Sequence, residues 1–361
     1  MRNGKKRIWA LMSAAVTTSA LVVSMTGSSV TTVRDADGDG RYTGSDATLT
    51  LRYLKGEFNP SSVRSFDFDG NGIISYVDAL KVLGYYTGSF SDDTLPGPVG
   101  ADSTAVATTR TYLRHDYSNN NPSSHTEYSL TVNPLDNTTS NSNARGHFGV
   151  IGEEDDRVHD YNTSVVRLDN GTGFIIDDHV IATAAHCVFD YNTNEFIDGT
   201  VTIVDGNNRI ILNPVYADIC EDYTNKDDDY DYALLYVEED LSDYGAFNIG
   251  AFLNEYIGID GEVTVSGFPK YIPNNATDPS RRDRYKATGY VESDYGMTLR
   301  YNADATSGTS GGPVYISEEY NGEEYNTVIG IHFGSSGGAN FAVKITPDIL
   351  KFYKSNSNID Y

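Results

Sequence analysis

The spacing of apolar positions changes along the chain, and each change marks a different kind of element. Arg2, Lys5, Lys6 and Arg7 precede a mostly apolar stretch from Ile8 to about Met25, the pattern of an export signal over residues 1–30. The stretch is near the ~17 residues that span a bilayer. Ser13, Thr17, Thr18 and Ser19 dilute it, which favours a leader over an anchor, and no later stretch is apolar enough to cross a membrane. Farther on, Ala47, Leu51 and Leu54 recur at i, i+4 and i+7, and Ala79, Leu83 and Tyr86 repeat that spacing, which predicts two amphipathic helices. From Ser89 to Gly149 the chain turns to Ser, Thr, Asn, Asp, Gly and Pro; such a segment buries little and reads as linker or propeptide. Beyond Val150 short β-like runs follow one another: 164–168, 179–184, 201–204, 232–237, 263–267, 298–301, 327–332 and 340–344. Many short strands split by Gly, Asn and Asp turns predict a β-barrel or sandwich. A closing helix is predicted where Thr346 and Pro347 precede the apolar face of Ile349, Leu350 and Tyr353.

The 361 residues suffice for two or three domains. With 26 Lys and Arg against 51 Asp and Glu, the net charge of −25 argues against a nucleic acid or an anionic membrane as partner. Two cysteines, Cys187 and Cys220, allow at most one intramolecular disulfide and no cysteine-rich zinc site.

The acidic excess is partly concentrated in two similar twelve-residue segments, 35–46 and 67–78, each just ahead of a predicted helix. Calcium takes six to eight hard oxygens, which a loop of this length supplies from positions 1, 3, 5, 7, 9 and 12, with Gly at 6 for the turn. The first loop offers Asp35, Asp37, Asp39, the Arg41 carbonyl, Thr43 through a water, and Asp46. The second offers Asp67, Asp69, Asn71, the Ile73 carbonyl, Ser75 and Asp78. Asp closes both loops, and the first flanking helix of an EF-hand is missing. Over residues 33–88 the pair resembles a dockerin, which implies a small α-helical module folded on Ca²⁺ and a cohesin domain on a cellulosome-like scaffold as partner. The pairs before each closing Asp, Gly44-Ser45 and Tyr76-Val77, differ, which argues against two equivalent docking orientations.

Three further segments carry nucleophilic chemistry: Thr183-Ala-Ala-His-Cys187 at a strand end, Asp231-Tyr-Ala-Leu-Leu235 opening another strand, and the turn Gly308-Thr-Ser-Gly-Gly-Pro313. A serine hydroxyl is a poor nucleophile at neutral pH. A histidine must take its proton, and a carboxylate must fix the imidazole's tautomer. His186, Asp231 and Ser310 fit those roles, and the Gly308 and Ser310 amides can converge on an oxyanion. In this order and spacing the trio resembles the chymotrypsin-like serine proteases, which implies an all-β two-barrel domain over residues 150–361 with the site between the barrels. Val150-Ile-Gly152 with Asp156-Arg157, Gly171-Thr-Gly-Phe-Ile-Ile176 and Gly330-Ile-His-Phe-Gly334 resemble bacterial glutamyl endopeptidases more closely.

That likeness implies that His332 lines the primary specificity pocket, that Thr306 contributes to it, and that the stretch from His332 to Gly334 pairs with the substrate backbone. Two readings of the pocket stand. It takes Glu or Asp, or Asp304, at the position of the carboxylate in trypsin-like enzymes, selects Lys or Arg. Relatives usually pair the cysteine after the catalytic histidine with one about fifteen residues upstream. Thr172 stands in that neighbourhood, which leaves either Cys220 as the only partner for Cys187 or two free thiols. The resemblance further implies maturation by cleavage between Gly149 and Val150, which would sever residues 31–88 from the protease. The expected protein is thus a secreted endopeptidase, extracellular or scaffold-attached, that acts on proteins or peptides and needs no cofactor for catalysis. A docked protease-like binding protein without turnover and a purely structural scaffold component are the rivals.

Overall fold

The computed structural model describes residues 35–37, 42–57, 64–87, 108–132, 150–151, 155–252, 261–270, 283–336 and 338–355. The expected export signal, together with Asp39 and Arg41 of the first loop, lies outside these residues.

Both amphipathic patterns form helices, Gly44–Leu54 and Tyr76–Thr87. Each starts in the same way. Thr43 accepts the Ser45 amide while Asp46 reaches back to the Thr43 amide at 2.6 Å. Ser75 accepts the Val77 amide while Asp78 takes that of Ser75 at 2.8 Å. The last aspartate of each acidic loop is therefore also the carboxylate of a capping box, satisfying amides the helix leaves open. One position departs from the expected pattern: Tyr86 is exposed, and the second helix buries Val77, Ala79, Leu80 and Val82 instead.

The eight predicted runs form strands and, with further strands outside those runs, assemble into two large sheets. In one, Glu323–Ser336, Pro313–Tyr320, Glu262–Gly267, Tyr285–Tyr295, Thr298–Tyr301 and Ala339–Lys344 are neighbours in that order, and Ala339–Lys344 pairs back onto Glu323–Ser336. The sheet thereby closes into a barrel, which removes its edges. In the other, Val201–Asp205, Val165–Leu168, Gly171–Asp177, Val180–Thr183, Ala233–Tyr236 and Tyr216–Cys220 run side by side. Together they form the two-barrel chymotrypsin-like architecture, packed over an almost wholly aliphatic and aromatic core. The final helix, Pro347–Ser355, buries Ile349, Leu350, Phe352 and Tyr353. The Thr346 side chain does not cap it: its hydroxyl is buried without a partner.

Part of the stretch read as linker is folded. Residues 108–132 form a hairpin, Thr108–Asp116 with Thr126–Val132, and its first strand extends the open sheet beside Tyr216–Cys220. Composition misled here because the burial rests on few side chains: Tyr112, Leu113 and His115 are buried, Tyr117, Tyr128 and Leu130 pack partly against the core, and most of the rest is polar and at least partly exposed where its exposure is described. The helical module is joined to the same body, since Ile73–Ile74 pairs with Ala251–Phe252.

Candidate active site and calcium loops

His186 sits in a single 3₁₀ turn, Ala185–Cys187, just past strand Val180–Thr183. Asp231 precedes strand Ala233–Tyr236, and the two strands pair with Ala233 opposite Thr183. The register alone thus brings the two ends together. The Asp231 carboxylate then grips His186 twice, accepting its backbone amide at 2.9 Å and lying 2.7 Å from Nδ1. The aspartate side chain is 4% exposed and that of the histidine 29%, so the imidazole keeps a path outward while its partner is dry. Burial opposes a charge on His186, but Asp231 above all, with Cys187, outweighs it and holds the imidazole well above its usual pKa.

Ser310 lies on a turn anchored from both barrels. Gly311 donates to the His332 carbonyl at 2.7 Å, and His332 donates to that of Gly312 at 2.9 Å. From the other barrel, Thr172 donates its amide to the Ser310 carbonyl and its hydroxyl to the Gly308 carbonyl, both at 2.7 Å. The Cys187 thiol also reaches the Ser310 carbonyl, at 3.5 Å, which places the serine turn next to the residue following His186. Gly311 has φ +82° and a Cβ there would collide with the Thr172 carbonyl and the Thr183 hydroxyl, so only glycine fits. The amides of Thr309, Gly311 and Gly312 are taken up internally, whereas those of Gly308 and Ser310 donate to no acceptor among the described residues. Gly308 has φ +101°, which leaves its amide to be directed by the turn.

Beside this turn stands a group of buried polar side chains. His332 is fully buried, its Nδ1 lies 2.7 Å from the Tyr301 hydroxyl, and its Nε2 makes no hydrogen bond of good geometry among the described residues, although the Phe341 backbone is near the ring. Burial pushes the imidazole down to about 3, with a smaller contribution from nearby His186. Of a protonated and a neutral, hydrogen-bonding imidazole, the free protein holds the neutral one. Burial also raises Tyr301 well above its usual value. No other hydrogen bond of the Tyr301 hydroxyl is found among the described residues; if it donates to Nδ1, the ring hydrogen lies on Nε2. Gly334 follows a register break after His332 in the strand paired with Ala339–Lys344.

Sequence reasoning named Asp304, Thr306 and Arg157 but missed the contacts that tie them together. Asp304 is engaged through both oxygens, by the amide of Ile151 at 2.7 Å and that of Asp156 at 2.9 Å. Arg157, clasped by Asp155, donates through Nη1 to Thr306 Oγ1 at 2.7 Å. The two cysteines are free and buried. Where relatives carry a disulfide, Thr172 supplies hydrogen bonds.

In the second acidic loop, carboxylate oxygens of Asp67, Asp69 and Asp78 lie within 4.8 Å of one another, as do those of Asp35, Asp37 and Asp46 in the first. Asp67 caps the turn by accepting the Gly70 and Gly72 amides. Burial, then the charges of Asp69 and Asp67, push Asp78 well above the ordinary carboxylate range. Crowded oxygens of this kind fit a hard divalent cation.

Residues 171–331 match the trypsin-like peptidase domain family, and residues 33–85 the dockerin type I domain. This chain carries a trypsin-like peptidase domain behind a dockerin. The peptidase region is also similar to a glutamyl endopeptidase of Bacillus licheniformis, 26% identical over 183 residues, which are 46% of this chain and 54% of that protein. The chain therefore spans about half the length of that curated relative. A solved structure of a Glu endopeptidase in complex with MPD superposes with a TM-score of 0.48 at 20% identity, covering 58% of this chain and 100% of that one. In the dockerin and peptidase alike, no helix among the described residues is long and apolar enough to cross a membrane.

Proposed function

We propose that this chain is a secreted serine endopeptidase that cleaves after glutamate or aspartate and is held on a cohesin-bearing scaffold by its calcium-loaded dockerin. The observation that carries the reading is the double grip of Asp231 on His186 next to the Ser310 turn. Asp231 fixes the ring with its hydrogen on Nδ1, so Nε2 is the atom free to take the Ser310 proton as Oγ attacks the scissile carbonyl. The Gly308 and Ser310 amides hold the resulting oxyanion. His186 returns the proton to the leaving amine, and water then releases the acyl group from Ser310.

In the pocket, the hydrogen on His332 Nε2 meets the substrate carboxylate, with Thr306 beside it and Gly334 on the strand that receives the substrate backbone. Selection of Lys or Arg by Asp304 is disfavoured because two backbone amides already occupy its oxygens. In the dockerin, Asp35, Asp37, Asp39, Arg41 and Asp46, and Asp67, Asp69, Asn71, Ile73 and Asp78, are assigned to two structural Ca²⁺ ions; bound calcium neutralises the clustered carboxylates and fixes the loops. Cleavage between Gly149 and Val150 is assigned as the maturation step.

Hydrolysis of peptides that differ only in Glu, Asp, Arg or Leu before the scissile bond tests the reading, with Ser310→Ala as control. Preference for Glu or Asp, abolished in the control, is expected. Equal turnover in the control would remove the mechanism. No turnover from either protein would favour a docked binding protein.

A further inference from the structure

The hairpin 108–132 lies upstream of the assigned maturation point, yet it completes the sheet that carries Asp231. Thr108–Asp116 pairs with Tyr216–Cys220 at five consecutive positions, from Tyr112 opposite Cys220 to Asp116 opposite Tyr216. Side chains on one face close the seam. The fully buried Tyr112 ring stacks on Phe352 of the C-terminal helix with centroids 4.3 Å apart. Two residues along on the same face, Arg114 forks onto Asp218, with Nε 2.7 Å from Oδ1. The Asp218 side chain is completely buried, so Arg114 supplies a counter-charge to a carboxylate that water cannot reach. Tyr128, from the second strand of the hairpin, donates to the same carboxylate at 2.8 Å.

The dockerin is fastened to the peptidase independently of the covalent link. Ile73, 2% exposed, packs in the same apolar cluster as Phe252 and Val265 of the peptidase, and its strand is hydrogen-bonded to Ala251–Phe252. Asn71 donates to Glu318 at 3.2 Å.

We infer that cleavage between Gly149 and Val150 does not release the N-terminal piece: the mature enzyme is a non-covalent two-chain protein in which residues 108–132 remain an edge hairpin of the peptidase and keep the dockerin attached. The inference rests on the maturation step proposed above. Departure of the hairpin would uncover Phe352, bare the hydrogen-bonding edge of Tyr216–Cys220, and take from Asp218 its guanidinium and the Tyr128 hydroxyl. Each of these is costly, and together they oppose separation. Cutting would then free the new terminus at Val150 without shedding the peptidase from its scaffold.

The test uses the full chain carrying Ser310→Ala, with the recognition sequence of a foreign protease placed so that its cut falls just before Val150. After cutting, the pieces are followed by size-exclusion chromatography and by denaturing gel. Two fragments that co-elute in equal amount at the position of the uncut chain, and separate only in denaturant, are expected. Elution of the Val150 fragment alone would overturn the inference. A second variant, Arg114→Ala with Tyr112→Ala, is expected to lower the denaturant concentration at which the cut pieces part; an unchanged midpoint would likewise overturn it. N-terminal sequencing of the secreted wild-type protein keeps the two readings apart. A single terminus near residue 30 would remove natural maturation, and the engineered cut would still decide retention.

Discussion

The Tyr301 hydroxyl lies 2.7 Å from Nδ1 of His332, and both side chains are fully buried. A neutral imidazole has one donor and one acceptor, so what Tyr301 does to Nδ1 decides what Nε2 offers to a substrate. Tyr301→Phe frees the ring to take the other tautomer, whose Nε2 repels a carboxylate. We expect kcat/KM for glutamyl peptides to fall about ten-fold, ~1.4 kcal/mol, with far less change for a leucyl peptide that the enzyme accepts weakly. An equal loss on both would show a structural role only.

In the proposed mechanism the base form of His186 is the working one. Its pKa is held well above 6.5, so the proton stays on at a pH where an ordinary histidine has lost it, and the rate falls as pH drops through that raised value. The acidic limb of kcat/KM is therefore expected above pH 6.5. Asp231→Asn removes the main upward influence and should move the limb lower while reducing kcat by on the order of 10⁴. His332, held down to about 3, should add no limb of its own in the range where the enzyme works. A pH–rate profile of the two proteins checks both statements.

Thr172 ties the serine turn to the other barrel through bonds to both Gly308 and Ser310. Its hydroxyl also accepts the Phe268 amide at 2.9 Å. Thr172→Val keeps the shape and removes both hydroxyl bonds, leaving a buried carbonyl and a buried amide unmet. A loss of about 1–3 kcal/mol in unfolding free energy is expected, together with a kcat reduced more than KM is raised. Thr172→Ser should restore most of the rate.

Calcium should stabilise more than the dockerin. The second loop shares Ile73–Ile74 with a peptidase strand, so an ion that binds only the folded loop also favours the folded partner. Hydrogen exchange of the Ser310→Ala chain with calcium or a chelator should show weaker protection without the ion at Ala251–Phe252 and along Pro313–Tyr320. Asp67→Ala should reproduce the effect of the chelator. Protection changes confined to residues 64–87 would show two independent modules.

Much of the site is legible because its chemistry is written in short segments. His186 sits in a strand-end turn, Asp231 opens a strand, and Ser310 stands in a glycine turn, each recognisable within five or six residues. The acidic loops and the helices they cap are local in the same sense, since capping bonds span three residues. Each of the eight predicted runs is a strand and each of the three predicted helices forms, but Gly171–Asp177, Tyr216–Cys220, Tyr285–Tyr295 and Pro313–Tyr320 are not among the runs. The pattern failed where burial depends on partners far away. Tyr86 has helical spacing but faces solvent, and the polar hairpin at 108–132 is a strand pair only because Tyr216–Cys220 lies beside it.

Sequence by itself determined the kinds of chemistry present: a nucleophile with a base and an acid to orient it, two sets of hard oxygens, and a chain of short strands. Only the tertiary structure decided what each carboxylate faces. Asp304, whose position suggested a contact with substrate, instead holds the Ile151 amide from 153 residues away. Asp218, one acid among many in the sequence, became the buried anchor of the hairpin. Residue type and spacing fix local conformation through short-range sterics and hydrogen bonds. Whether a charge ends in water, in a pocket or against a distant amide depends on which strands become neighbours, and that is settled only when the whole core packs.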